Sequence, residues 1–182
     1  MKKIGLFLGS FNPFHIGHRE AIEKALNLGM DFVLIVPAVS NPWKKDKPKD
    51  ISFRNLIVEL ETQDMENTKS IILMTPPRED GNYYSVDQLR MIKDMSKGDE
   101  EFYIIGGPEV VDTIKSWKEG DWILENFKTL GIDRPGFSEE SSGTIISSTT
   151  IRNLIKDQNW EELKKYYRNP ESIQQLKNSS YK

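Results

Sequence analysis

Hydrophobic positions along the chain fall into short continuous runs separated by longer stretches of helical periodicity. Ile4 to Leu8 is an apolar run closed by Gly9, the pattern of a buried strand. The turn-rich segment Gly9-Ser10-Phe11-Asn12-Pro13 follows. From about Gly17 the spacing becomes helical, with Ala21, Ile22, Ala25 and Leu26 on one face and Gly29 as a stop. Phe32 to Val36 is a second buried strand ended by Pro37. Strand, helix and strand in so little chain imply a right-handed parallel crossover. Phe53, Leu56, Ile57 and Leu60 then mark a helix, and Ile71 to Met74 a strand. Ser85 and Gln88 have capping-box spacing ahead of a helix carrying Val86, Leu89 and Ile92. Phe102 to Ile105 is a strand running into Gly106-Gly107-Pro108, followed by short helices around Val110 to Ile114 and Trp122 to Phe127. Leu130 to Ile132 and Ile145-Ile146 are weaker strand candidates. From Thr149 the chain reads as helical throughout, with Asn169-Pro170 separating two tail helices.

This alternation predicts an α/β fold: a Rossmann-like, doubly wound parallel sheet with a short C-terminal helical tail. The expected division is 1–158 for the sheet domain and 159–182 for a tail packed on it. In such sheets ligands bind beyond the carboxyl ends of the strands, where the loops gather. Composition narrows the function. With 182 residues, a net charge of -3 and a pI near 5.5, the chain lacks the basic face of a phosphate-backbone binder, so no nucleic-acid partner is expected. It has no cysteine, which excludes disulfides, thiolate metal sites and cysteine nucleophiles. Met1-Lys2-Lys3 and the short run after it do not make a signal sequence, and no apolar run has the length of a membrane span. A cytoplasmic protein without a membrane partner is expected; oligomeric state is not readable.

Two segments carry chemistry. Gly9-Ser10-Phe11-Asn12-Pro13-Phe14-His15-Ile16-Gly17-His18 joins the first strand to the first helix, where free N–H groups and the helix dipole favour an anion. Gly9 and Gly17 would let a phosphate approach the backbone. His15 and His18, the only histidines, are three residues apart and would point to one side. A plain turn with two surface histidines is one rival reading; a zinc pair is the other, but it would have to find its remaining ligands among carboxylates. Neither a G-x-x-x-x-G-K-S/T loop nor a G-x-G-x-x-G fingerprint occurs. The second segment is Ile146-Ser147-Ser148-Thr149-Thr150-Ile151-Arg152. Its hydroxyls and N–H groups can hold a phosphate that the guanidinium neutralises, and a plain helix cap explains the hydroxyls equally well.

The pair GSFNPFHIGH and ISSTTIR resembles the nucleotidyltransferase superfamily with its H/T-x-G-H and ISSTxIR motifs, and within it the nicotinamide/nicotinate mononucleotide adenylyltransferases. Asn41-Pro42-Trp43-Lys44, Tyr84 to Leu89, Tyr103 to Gly106 with Trp117, and Arg134-Pro135-Gly136 resemble further segments of that family in the same order, covering roughly residues 3 to 156. The resemblance implies transfer of an adenylyl group from ATP to a pyridine mononucleotide, with Mg2+ accompanying ATP and no dedicated protein metal site. Carried over by position, His15, His18 and Arg152 act on the phosphates. Gly9, Ser10, Phe11, Gly17 and Gly106, with Ser147, Ser148 and Thr149, bind ATP. Asn12, Lys44, Ser85, Trp117 and Arg134 bind the mononucleotide, with Trp117 stacking on the pyridine ring. The family commonly has an acid where this chain has Pro108, and Glu109 is the candidate substitute. A pantetheine-phosphate adenylyltransferase and a non-catalytic nucleotide sensor are the alternatives.

Overall fold

The computed structural model describes residues 1–40, 50–133, 135, 143–179 and 181. Lys44 with its neighbours Asn41 to Trp43, and Arg134 with Gly136, lie outside the described residues. Among the described residues five strands form one parallel sheet: β1 (Lys2–Gly9), β2 (Phe32–Pro37), β3 (Thr68–Ser70), β4 (Glu100–Gly106) and β5 (Lys128–Gly131), in the order β3-β2-β1-β4-β5. The helices are α1 (Ile16–Asn27), α2 (Ile51–Thr62), α3 (Ser85–Met95), α4 (Val110–Lys115), α5 (Gly120–Asn126), α6 (Ser148–Lys156), α7 (Trp160–Leu163) and α8 (Pro170–Asn178).

Successive strand residues alternate between two cores. Val33, Ile35 and Ile105 pack with α1, α2 and α6 to α8, whereas Leu6, Val36 and Ile104 pack with α3 to α5. Both faces of the sheet are therefore covered, the doubly wound arrangement. After β3 the chain crosses to the far side of β1, so the strand order reverses between β1 and β4, and the crevice beyond their carboxyl ends is where such a fold takes a ligand.

The C-terminal helices share the first core through Leu163, Tyr167, Ile173 and Leu176. Polar contacts fasten them as well. The buried Glu61 carboxylate accepts hydrogen bonds from the backbone N–H groups of Arg168 (2.9 Å) and Asn169 (3.1 Å) and from the Ser172 hydroxyl (2.6 Å). No helix among the described residues is long and apolar enough to cross a membrane.

Several local expectations are corrected. The third strand is Thr68–Ser70, not Ile71 to Met74. Ile71 donates the last link to Ile35 O at 2.9 Å, and Leu73 O is then taken by the Gln88 side chain. That same side chain also donates to Pro37 O at 3.0 Å, so it cannot reach back to close a capping box. Helix α3 accordingly starts with Ser85 inside it and Tyr84 as an N-cap without a side-chain bond. Ile145-Ile146 is not a strand: Ile145 is 78% exposed and Ile146 approaches Gly17. The tail is not helical throughout, because Asp157 to Asn159 separate α6 from α7. Asn169 does cap α8, with Pro170 at its first position.

Candidate active site

Strand β1 delivers the histidine loop to the switch point. His15 is the N-cap of α1, and its Nδ1 accepts from Gly17 N at 3.0 Å. His18 Nδ1 accepts in turn from His15 N at 3.1 Å, so the two imidazoles form a reciprocal capping box. With both Nδ1 atoms accepting, each neutral ring carries its proton on Nε2. The rings stack with centroids 3.9 Å apart, and Phe11 and Phe14 lie 5.1 and 5.2 Å from His18. The glycines serve this packing. A Cβ on Gly9 would stand 2.9 Å from the Phe11 ring, and one on Gly17 would stand 2.9 Å from His15 Cε1. Their need for a bare backbone is thus internal, before any phosphate arrives. Phe11 itself stands at φ 47, uncommon for a bulky residue.

Burial pushes His15 down to about 4, with Glu20 acting in the opposite sense. His15 is therefore a neutral donor near pH 7 rather than a standing cation. The linkage has a definite sign. The unfolded chain binds a proton on this imidazole near pH 6.5 that the folded chain refuses until about pH 4, so stability falls as pH drops through that window. The cost by pH 4 is on the order of 3 kcal/mol. Replacing His15 by Asn retains a cap and should flatten the slope of melting temperature between pH 6.5 and 4.5 relative to the parent. An unchanged slope would contradict a buried neutral His15.

Helix α6 faces this loop. The Ser147 side chain caps α6 by accepting from Thr150 N, and Ser148 Oγ donates to Pro13 O at 3.0 Å. Arg152 donates to Asn12 O at 2.8 Å and to Thr149 Oγ1 at 3.2 Å. Between α1, α6 and the ends of β1 and β4 lies a cavity of about 730 Å³. Its walls bring together Gly9, Phe11, Asn12, His15, Gly17, His18, Gly106, Ser147, Ser148, Thr149 and Arg152. A smaller pocket of about 180 Å³ holds Ser10, Ser85 and Trp117, with Tyr84 and Lys118. The two meet at Leu8 and Gly9. Ser10, expected on the ATP side, thus lines the smaller pocket, and Asn12, expected on the mononucleotide side, lines the larger one. Trp117 and Trp122 are both half-buried and packed against the second core, and the Arg90 guanidinium lies 4.1 Å from the Trp122 ring. Glu109 is exposed at the N-cap of α4.

Sequence reasoning missed Arg54. Fully buried on α2, it donates to Ser10 O (2.5 Å), Ala38 O (2.7 Å) and Val39 O (3.3 Å), tying the loops after β1 and β2. Its signal was present: Arg54, Ile57, Val58 and Glu61 recur at helical spacing and all face inward. Glu20 was missed too. It accepts from Thr144 N and Oγ1, both at 2.7 Å, and so holds the chain entering α6.

A family model described as cytidylyltransferase-like matches residues 6–154. The nicotinate-nucleotide adenylyltransferase of Bacillus subtilis (strain 168) is 30% identical over 167 residues, spanning 86% of this chain and 87% of that protein. The chain belongs to the nicotinate-nucleotide adenylyltransferase family. The fold agrees with solved members. Nicotinic acid mononucleotide adenylyltransferase of Plasmodium falciparum complexed with NaAD superposes with a TM-score of 0.70 at 22% identity, covering 100% of this chain and 98% of that one. The same protein complexed with APC gives 0.68 at 21% identity, with the same coverage. In this family member, the histidine loop and the first turn of α6 are hydrogen-bonded to each other and both line the larger cavity.

Proposed function

We propose that the protein transfers the adenylyl group of ATP to nicotinate or nicotinamide mononucleotide, with ATP in the larger cavity and the mononucleotide in the smaller pocket. The observation that carries this reading is that the two cavities meet at Leu8 and Gly9, where the histidine loop begins. Two substrates seated there would bring their phosphates together beside His15 and His18. An oxygen of the mononucleotide phosphate attacks the α-phosphorus of ATP. The bond to the bridging oxygen of the β-phosphate breaks, and pyrophosphate leaves. The nucleophile is already an anion, so the chain needs no strong base. The work left to it is positioning and stabilising charge that grows on the phosphoryl oxygens. His15 and His18 would donate from Nε2, the N-terminus of α1 would add its dipole, and Arg152 would stand opposite.

A divalent metal, magnesium in this reading, would come in on the triphosphate and neutralise charge on the leaving pyrophosphate. Both Glu20 oxygens already accept from Thr144, so Asp133 is the other carboxylate on the wall of the larger cavity that would suit such an ion's preference for oxygen. Among the described residues, no group of three or more His, Asp or Glu could hold a metal ion. Trp117, which lines the smaller pocket and packs against the second core, would stack on the pyridine ring.

Pyrophosphate release with ATP and magnesium is the test, run against nicotinate mononucleotide, nicotinamide mononucleotide and phosphopantetheine. Turnover is expected with a pyridine mononucleotide only. Trp117→Ala should raise the KM for that substrate by roughly tenfold and leave the KM for ATP nearly unchanged, on the scale of base–aromatic stacking. Turnover with phosphopantetheine alone would overturn the proposal.

A further inference from the structure

The loop that bears the histidines is held by groups of different origin. Arg54 of α2 takes Ser10 O, Arg152 of α6 takes Asn12 O, and Ser148 takes Pro13 O. A further contact comes from the far end of the chain: the Tyr181 hydroxyl donates to the side-chain carbonyl of Asn12. Asn12 is 6% exposed and stands on the wall of the larger cavity. The Tyr181 ring lies 5.9 Å from Phe53. The segment before it is held independently, by Glu61 and by the buried Ile173 and Leu176. Helix α2 therefore anchors both parts: Phe53 and Glu61 seat the tail, and Arg54 seats the loop.

We propose that Tyr181 is a positioning residue for adenylyl transfer, setting the Asn12 side chain and with it the histidine loop on the wall of the larger cavity. The proposal rests on the function argued above. A hydroxyl bonded to a nearly buried amide fixes one rotamer of Asn12, and the loop's backbone donors keep their aim only while that loop is fixed. Burial also pushes the Tyr181 phenol well above its ordinary range, despite the neighbouring Arg54 and Arg152, so the hydroxyl keeps its proton near neutrality.

The test uses the full chain with Tyr181→Phe, which removes the hydroxyl and keeps the ring against Phe53. We expect kcat/KM for ATP to fall about 3- to 10-fold, the scale of one lost hydrogen bond, with the melting temperature lowered by no more than about 4 °C. In an Asn12→Ala background the same substitution should then change nothing further, because its effect runs through Asn12. Full additivity in that background, or an unchanged kcat/KM in the single variant, would overturn the proposal. Calorimetric binding of ATP is measured on the same four proteins. If the parent binds ATP without turning over, the proposed function fails, and the coupling between Tyr181 and Asn12 is still decided by the dissociation constants.

Discussion

Replacing His18 by alanine is expected to lower kcat by about 10²-fold or more, the scale for losing one donor that acts in the transition state. The structure adds a second, smaller effect. His18 Nδ1 receives the His15 N–H inside the capping box, so the alanine variant also leaves that donor without its partner. A stability loss of about 1 kcal/mol should accompany the rate loss. The two effects separate with His18→Asn, whose side-chain oxygen can take the place of Nδ1 but presents no donor where Nε2 stood. That variant should regain most of the stability and little of the rate. Single-turnover measurement of pyrophosphate release, with thermal melts on the same samples, reads both. A kcat within about threefold of the parent in either variant would remove His18 from the chemistry.

Arg54→Met is expected to cost about 3–5 kcal/mol in stability, because it leaves carbonyl acceptors from two loops without their donor at about 1–3 kcal/mol each. Methionine fills similar volume but strands the carbonyls of Ser10, Ala38 and Val39. Burial already pulls the Arg54 guanidinium below its usual range, with Tyr181 and Asp50 opposing, and it remains charged at any physiological pH. Arg54→Lys should fall between the two, since a single ammonium cannot span carbonyls from two loops. Chemical denaturation measures the loss. A change below about 1 kcal/mol would mean that other groups hold those loops.

The fold was legible where hydrophobic period and glycine stops agree. That holds for β1, α1 and β2, and for the crossover among them, because both local signals and the core demand the same conformation. It was misread where an apolar run had another task. Ile71 and Leu73 are apolar because they cover the second core beside the sheet, and only Ile71 still donates a bond to β2. The histidine loop and the α6 turn were legible as motifs because their residue types and spacing resemble those of the family. Their internal bonding was not. Nothing in the spacing of His15 and His18 says that each ring caps the same helix, or that burial holds His15 neutral. The contacts to Asn12 from Arg152 and Tyr181 span most of the chain, and no local pattern encodes them.

The order of the strands has a consequence for how copies of this chain behave toward one another. Among the described residues the long strands β1, β2 and β4 are all interior, and the margins are β3 with three residues and β5 with four. A strand from another molecule joining either margin would find only that short ladder. It would also meet an exposed lysine, Lys69 on one side and Lys128 on the other. Continuing the sheet from one copy into the next would therefore gain few bonds, and both margins carry features that disfavour edge-to-edge pairing.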